Sequence, residues 1–474
     1  MVRFCLNSIG RKRYFGQTDI LLVASEKYRQ LPYKNILRVR GNDERFTRLL
    51  PPPEGSGFPP MANERILFMK KNREILQNRI PLEEAVKRIY EAVKPLEETE
   101  CDLEAADGTI LSESYQAQYD QPPFPRSPLD GYALRGEETK GASREHPVVF
   151  PVVDKLCAGD RSNICVTPGQ AVRIMTGAMI PEGANAVIRQ EDTDLGEKQV
   201  SIWEEVKPYG NYCFQGEDYH AGDILVKEGT RLDYISIGIL ASGGKKRVKV
   251  RKIPRISLIT TGNELIEPGE PMNCGKIYNT NQYLIRSRLR EWGISCRTIQ
   301  IADDAASVER AILSELEQSD GVITTGGVSV GEKDILNEVL PRISDRILFG
   351  GLEVKPGSPS KCAIVNGKPL LALSGNPFAA AAVLELLGRP MVSALMGSRW
   401  LECKRQTAEM EKDFLKKSPQ RRFLRGFYEN GSVYIPEGHS SGQIRSFAGC
   451  NCMIDIPKGS EALKKGEKVN VWML

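Results

Sequence analysis

The sequence predicts an α/β multidomain protein. A doubly wound, mostly parallel α/β domain is flanked by β-rich domains, with a small β-barrel or sandwich at the C-terminal end. Three observations carry this reading. Ile256–Glu264 (ISLITTGNE), Val322–Gly331 (VITTGGVSVG) and Leu370–Ala380 (LLALSGNPFAA) each read as apolar strand, glycine-rich turn, then helix. Strand and helix patterns alternate throughout the region from about 255 to 397. On both sides of it the chain breaks into short β-rich runs divided by Gly, Pro and Asp.

The elements follow in order. Residues 1–60 carry more basic than acidic residues and end in Pro51-Pro52-Pro53 and Gly55-Ser56-Gly57. They show no sustained period and read as an atypical extension, either flexible or upstream of a start at Met61 or Met69. Asp19, Glu26, Asp43 and Glu44 argue against a transit peptide. From Pro81, the residues Leu82, Ala85, Val86, Ile89 and Val93 recur at helical spacing, with Glu83 and Glu84 in the first turn and Pro95 as the stop. His146–Val153, Ala184–Gln190 and Val200–Trp203 read as strands. Asn279-Thr280 caps a helix through Ile285, Leu289 and Trp292, and Asp303-Asp304 starts another through Val308, Ile312 and Leu316. Asn376 caps a third helix with Pro377 at its first position, where the missing N–H costs nothing. Asn366-Gly367 reads as a tight hairpin turn. Phe423–Tyr428, Ser432–Ile435, Cys452–Ile456 and Val469–Trp472 are the C-terminal strands.

Composition narrows the function. A chain of 474 residues is too long for one ordinary core. The net charge of +4 gives little support to nucleic-acid binding, and no apolar run approaches a membrane span of about 20 residues. Eleven cysteines without a C-x-x-C pair suit free thiols in a reducing cytoplasm. His146, His220 and His439 are the only histidines, so a zinc site or a Ser–His–Asp triad has no basis. Any metal is held by oxygen, which favours magnesium. The glycine turns offer backbone N–H groups to an oxyanion such as phosphate, and the nearby carboxylates call for a cation between them.

Each candidate residue also has a local explanation. Asp130 in SPLDGYAL fits a Pro-x-Asp-Gly turn, and Asp218 in FQGEDYHAGD fits a solvated loop. Capping accounts for at least one of Asp303 and Asp304, and Glu264 and Asp334 follow glycine turns where an acid complements a helix dipole. Lys355 in EVKPG reads as a surface charge and Thr176 in IMTGAMIP as a turn residue.

Taken in order, SPLDGYAL, RIMTGAMIPEGANAVI, GEDYHAGD, TTGNEL, GKIYNTN, TTGGVSVGEKD, KPGSP and LSGNPFAAA closely resemble the molybdopterin molybdenumtransferase (molybdenum insertase) family, which includes the E domain of gephyrin. The resemblance runs from about Pro81 to Leu474. It implies insertion of molybdenum from molybdate into adenylyl-molybdopterin with release of AMP. It also implies a subunit of interleaved domains: 79–120 with 225–253, an inserted β-rich domain 121–224, the α/β domain 254–400 and a β-barrel 401–474. Further implications are a homodimer with a composite active site, Mg2+ as cofactor, a cytoplasmic location, and transient contact with the pterin adenylyltransferase and recipient molybdoenzymes.

Carried over by motif, Asp130, Asp218, Glu264 and Lys355 are catalytic, and Asp303 and Asp334 hold the metal. Gly326, Gly327 and Ser329 cradle phosphate. Asp130 and the substrate-binding Thr176 come from one subunit and face the α/β domain of the other across the dimer cleft, while Ser374, Gly375 and Asn376 border the pterin end. Three segments depart from the family pattern. Asn211-Tyr212-Cys213-Phe214 stands where many members have N-x-R, and Ser358 stands where a second lysine often follows KPG, with Lys361 as its candidate replacement. Leu373-Ser374-Gly375-Asn376-Pro377 replaces L-P-G-N-P. The competing readings are a catalytically inactive molybdopterin-binding carrier or regulator, the adenylyltransferase itself, and a gephyrin-like scaffold.

Overall fold

The computed structural model describes residues 72, 74–161, 163–328 and 334–474, with a short antiparallel pair, Ile20–Leu21 and Arg38–Val39. The expectation for residues 1–60 and the phosphate role of Ser329 lie outside the described residues, apart from that pair. Met69–Leu474 forms one compact unit, described here.

Its centre is a six-stranded sheet. In chain order the elements are β1 (Arg255–Thr261), α1 (Thr280–Glu291), β2 (Ser295–Ile301), α2 (Ala305–Gln318), β3 (Gly321–Thr325), α3 (Ile335–Ile343), β4 (Arg346–Phe349), β5 (Lys361–Val365), β6 (Lys368–Leu373) and α4 (Pro377–Val383). Spatial order is β2-β1-β3-β6-β5-β4. The first four strands are parallel and the β6–β5–β4 edge is antiparallel. Val365 pairs with Lys368, leaving Asn366 (φ 50°) and Gly367 (φ 74°) as the two-residue turn that such backbone angles allow.

Alternation along each strand sorts side chains to the two faces. Leu258, Ile323 and Leu371 pack with Ile285 and Leu289 of α1 and with Phe378 and Val383 of α4. Ile259, Val322 and Leu370 pack with Val308, Ile312 and Leu316 of α2 and with Leu336 and Val339 of α3. The helix Leu82–Ala92 joins the first of these cores through Leu82, Ala85 and Ile89. After α4 the chain stays helical through a π turn, Leu384–Gly388, into Arg389–Met396. One expectation fails here: the helical run Pro377–Met396 does approach a membrane span in length and composition, and from Phe378 onward it is buried as the core helix of the unit.

A second expectation fails at β1. Ile256–Glu264 does not hand over directly to a helix: Leu265–Ile266 first pairs in parallel with Ile277–Tyr278, and α1 starts only after Asn279. Pro268, Gly269 and Pro271 interrupt helical continuation there. Asn279 and Asp304 cap α1 and α2 with their side chains, accepting from Gln282 N and Ser307 N. Asn376 occupies the cap position of α4 but makes no side-chain cap bond.

Around the sheet, Gly131–Leu134, Val148–Leu156, Ala171–Ile174, Ala186–Arg189 and Gln199–Ile202 form a five-stranded sheet of their own. Segments before and after it pair with one another, because Arg247–Arg251 lies between Glu98–Asp102 and Ile110–Leu111. The C-terminal strands close a five-stranded barrel: Arg421–Glu429 pairs with both Ser432–Tyr434 and Cys452–Ile456, and Arg405–Met410 with Lys468–Met473 completes the ring. Arg405–Met410 is mostly polar and exposed, so the sequence pattern did not mark it as a strand.

The turn after Lys355 is seated by one glycine. Gly357 has φ 91°, and a Cβ there would stand 2.1 Å from Cγ2 of Val383 on α4. Gly357→Ala is expected to lower unfolding free energy by about 1–3 kcal/mol in chemical denaturation. A change below about 0.5 kcal/mol would show that the turn relaxes away from α4.

Candidate functional site

The parallel strands bring their C-terminal ends together where the strand order reverses between β1 and β3, the usual ligand position in such sheets. Gly326 (φ 89°) and Gly327 (φ 64°) follow β3 and lie against Thr261 at the end of β1. A Cβ on Gly326 would stand 2.3 Å from Thr261 O, and one on Gly327 would stand 4.0 Å from Asp303 Oδ1. A larger residue would clash at Gly326 and would be strained by the positive φ at Gly327, so the turn presents mainly its backbone. Thr261 Oγ1 is buried there and has no hydrogen-bond partner among the described residues. Asn281 on α1 locks the neighbouring strand end, donating to Thr325 Oγ1 and to Gly375 O, both at 2.8 Å. Thr325 Oγ1 in turn donates to Ser374 O at 3.1 Å. Thr261, Asp303, Gly326, Gly327, Ser374 and Gly375 therefore form one cradle.

A cleft of about 850 Å³ opens beside this cradle, with Val328, Ser374 and Asn376 in its wall. Its cations are Arg79, Lys355, Lys416 and Arg422, and no carboxylate among the described residues lines it. Lys355 reaches the cleft because Val354–Lys355 pairs in parallel with Arg421–Arg422 of the barrel. The far wall, Gly438–Gln443, is pinned by the buried Arg425, whose guanidinium lies 3.9 Å over the Phe378 ring. Arg425 also donates to Ser440 O at 2.5 Å and to Gln443 O. Phe378 N donates to Ser441 O at 3.1 Å, which ties the first turn of α4 to the same loop. Arg422 Nε and His439 Nε2 are buried without a hydrogen-bond partner among the described residues. Burial, followed by the nearby Lys416, Arg425 and Arg422, pushes the His439 pKa below its usual value.

Asp130 and Thr176 meet in the five-stranded sheet. Asp130 Oδ1 accepts from both the N–H and the hydroxyl of Thr176, each at 2.7 Å, and these bonds hold its carboxyl below the usual range. Gly131 pairs with Ile174 beside them, and a Cβ on Gly131 would stand 1.9 Å from Ile188 O. Asp218 is exposed on a loop whose backbone N–H bonds to Gln121 O. Among the described residues, no hydrogen bond or ion pair joins Asp130, Thr176 or Asp218 to the cradle or the cleft.

Family models match nearly the whole described unit. The MoeA N-terminal region (domain I and II) covers residues 80–244, the "Probable molybdopterin binding domain" covers 257–394, and the MoeA C-terminal region (domain IV) covers 407–474. The molybdopterin molybdenumtransferase of Staphylococcus epidermidis is 37% identical over 398 residues, covering 83% of this chain and 95% of that protein. The chain belongs to the molybdopterin molybdenumtransferase family. The Staphylococcus aureus enzyme is 36% identical over 400 residues, covering 83% of this chain and 96% of its own. The crystal structure of the molybdopterin biosynthesis protein MoeA from Pyrococcus horikoshii superposes with a TM-score of 0.73 at 29% identity, covering 84% of this chain and 99% of that one. The chain is thus a transferase of molybdenum cofactor biosynthesis.

Within this family frame the acids of the α/β domain separate. Asp303 is exposed and faces the cradle, which suits a divalent ion held by one carboxylate together with substrate phosphates. Asp334 sits in a different setting: its Oδ2 lies 3.0 Å from Lys361 Nζ, with both side chains buried, and accepts no hydrogen bond among the described residues. Lys361 is accordingly unavailable as the second lysine of the KPG turn. Glu264 bends back, with its carboxylate oxygens 2.9 Å from where a Cβ on Gly262 would stand. Among the described residues no three His, Cys, Asp or Glu side chains group at metal-binding distance. Sequence reasoning missed Arg79, Thr261, Asn281, Lys416, Arg422, Arg425 and His439. The basic run Lys416-Lys417 to Arg421-Arg422 was the available signal for the barrel cations.

Burial, the main cause of the lowered His439 pKa, is untouched by an anion, but an anion in the cleft offsets the repulsion from Lys416, Arg425 and Arg422 and so favours the protonated ring. Sulfate affinity, measured by calorimetry between about pH 5.5 and 8, is expected to rise as pH falls. His439→Gln should flatten that dependence. An unchanged profile in the variant would show that His439 does not sense the anion.

Proposed function

We propose that the protein inserts molybdenum from molybdate into adenylyl-molybdopterin, releasing AMP. The observation that supports this most is the cationic cleft, lined by no carboxylate among the described residues, that opens directly beside the glycine cradle, with Val328 and Ser374 bordering both. Two anions must meet in this reaction, a pyrophosphate and a tetrahedral oxyanion. The cradle offers N–H groups, a buried hydroxyl and a close-packed turn to the first. The cleft offers Lys355, Lys416 and Arg422 to the second.

Lys355 stands at the seam and neutralises oxygen charge as the phosphoanhydride bond breaks. Ser374, Gly375 and Asn376 border the pterin. Magnesium held at Asp303 against the pyrophosphate would offset its charge and polarise the bond that releases AMP. Every other part of the assignment is positioning, since the substrate dithiolene and molybdate make the new bonds. A reducing, cytoplasmic setting agrees with ten free cysteines among the described residues.

Asp130, Thr176 and Asp218 act in the reading as the contribution of a second subunit. Among the described residues no hydrogen bond or ion pair joins them to the cradle of their own chain, and the largely apolar helix Tyr234–Ser242 leaves Tyr234 82% and Ile235 53% exposed. A face of that kind is what a second copy would cover.

Lys355→Ala is expected to lower molybdate-dependent AMP release, as kcat/KM for molybdate, by about 10- to 100-fold. Tight pterin binding without molybdate-dependent release in the unaltered protein would instead support a carrier. The composite site has its own test. Asp130→Asn and Lys355→Ala, each impaired alone, should recover roughly a quarter of normal activity when unfolded together and refolded as mixed dimers. Activity that stays at the level of the single variants would place both residues in one chain's site.

A further inference from the structure

The family pattern makes Asp334 one of two metal-holding acids, and the surroundings of Asp334 here argue otherwise. Its Oδ1 accepts from Asn337 N at 3.3 Å and so caps α3. Its Oδ2 lies 3.0 Å from Lys361 Nζ, with the side chains 2% and 3% exposed. Lys361 opens β5, and its ammonium also donates to Gly350 O at 3.3 Å. Oδ1 is engaged by the cap, and Oδ2 is paired in charge with the Lys361 ammonium although it accepts no hydrogen bond among the described residues, so the charge is matched one to one in a buried place. A divalent ion entering there would have to take the carboxylate from the ammonium and then stand beside a buried positive charge. In a low-dielectric interior both requirements oppose binding.

We propose that in this chain Lys361 takes the place of a divalent ion beside Asp334, so that Asp334 is a positioning residue and not a metal ligand. The pair ties the start of α3, just beyond the glycine turn, to the strand that leaves the KPG turn. An ammonium on the chain does this permanently, whereas a metal ion would come and go with the substrate. The divalent ion of the reaction is then left to Asp303 and the substrate phosphates. This rests on the reading that Gly326 and Gly327 hold phosphate.

The test is manganese binding by electron paramagnetic resonance, on the full chain with saturating pyrophosphate. It compares the unaltered protein, Lys361→Gln, and the neutral double variant Asp334→Asn with Lys361→Gln. The double variant leaves no unpaired buried charge, so its folding is not at issue in the way a single change would be. It is expected to bind manganese within about twofold of the unaltered protein, whereas Lys361→Gln alone, with Asp334 set free, should bind at least about tenfold tighter or take up an additional ion. A tenfold loss in the double variant, or unchanged manganese binding in Lys361→Gln, overturns the proposal. Pyrophosphate binding is followed separately by calorimetry, with and without manganese. If pyrophosphate fails to bind in either condition, the phosphate reading falls and the inference falls with it. If it binds while manganese follows Asp334, the inference alone falls.

Discussion

The two-residue parallel pairing of Val354–Lys355 with Arg421–Arg422 is the constraint on which the site depends. It fixes the α/β domain to the barrel at the point where one supplies Lys355 and the other Arg422. Arg421 strengthens the seam, holding Asp455 with two bonds of 2.8 and 2.6 Å and reaching Glu83 on the helix Leu82–Ala92. On the opposite wall, Arg425 and Phe378 do the equivalent for the loop Gly438–Gln443. The cleft is therefore a gap between two bodies that cannot drift apart, and its width is set by backbone pairing and a buried guanidinium.

This rigidity has an electrostatic reason. Lys355, Lys416 and Arg422 repel one another, and among the described residues no carboxylate lines the cleft to relieve them. Surface side chains of like charge would simply swing into water. Here Arg422 Nε is buried without a partner, and His439 is held towards its neutral form. The walls keep the cations facing inward, which makes the cleft selective for an occupant of opposite charge. The cradle works differently: there the chain offers N–H groups and a hydroxyl, and among the described residues Asp303 is the charged side chain beside Gly327.

What the sequence made legible was local or repeated. Asn279 and Asp304 stand at the caps of α1 and α2 because a short polar side chain there satisfies an orphan N–H, and the following apolar spacing marks the helices. Asn366-Gly367 marks its turn because those two residues tolerate positive φ. The excursion between Leu265 and Tyr278 escaped because its parallel pairing joins two-residue strands with no period of their own. Arg422, Arg425 and His439 escaped for a different reason: their roles exist only once the barrel closes against α4. Lys361 is the sharpest case. Its place in the sequence suggested a second cation for the cleft, and its burial against Asp334 is a tertiary fact that spacing could not encode.

The run Pro377–Met396 has a consequence for how the chain is made. A mostly apolar run of twenty residues, emerging from a ribosome, is by length and composition like a membrane-spanning segment, although it carries Glu385 and Arg389. Synthesis order works against that outcome. All six strands of the central sheet, and the helix Leu82–Ala92, leave the ribosome before this segment does. Most of the surface that covers it has then been synthesised, so docking can compete with any targeting or aggregation of the nascent helix. The barrel arrives last and closes the remaining side with Phe423, Met453 and Trp472.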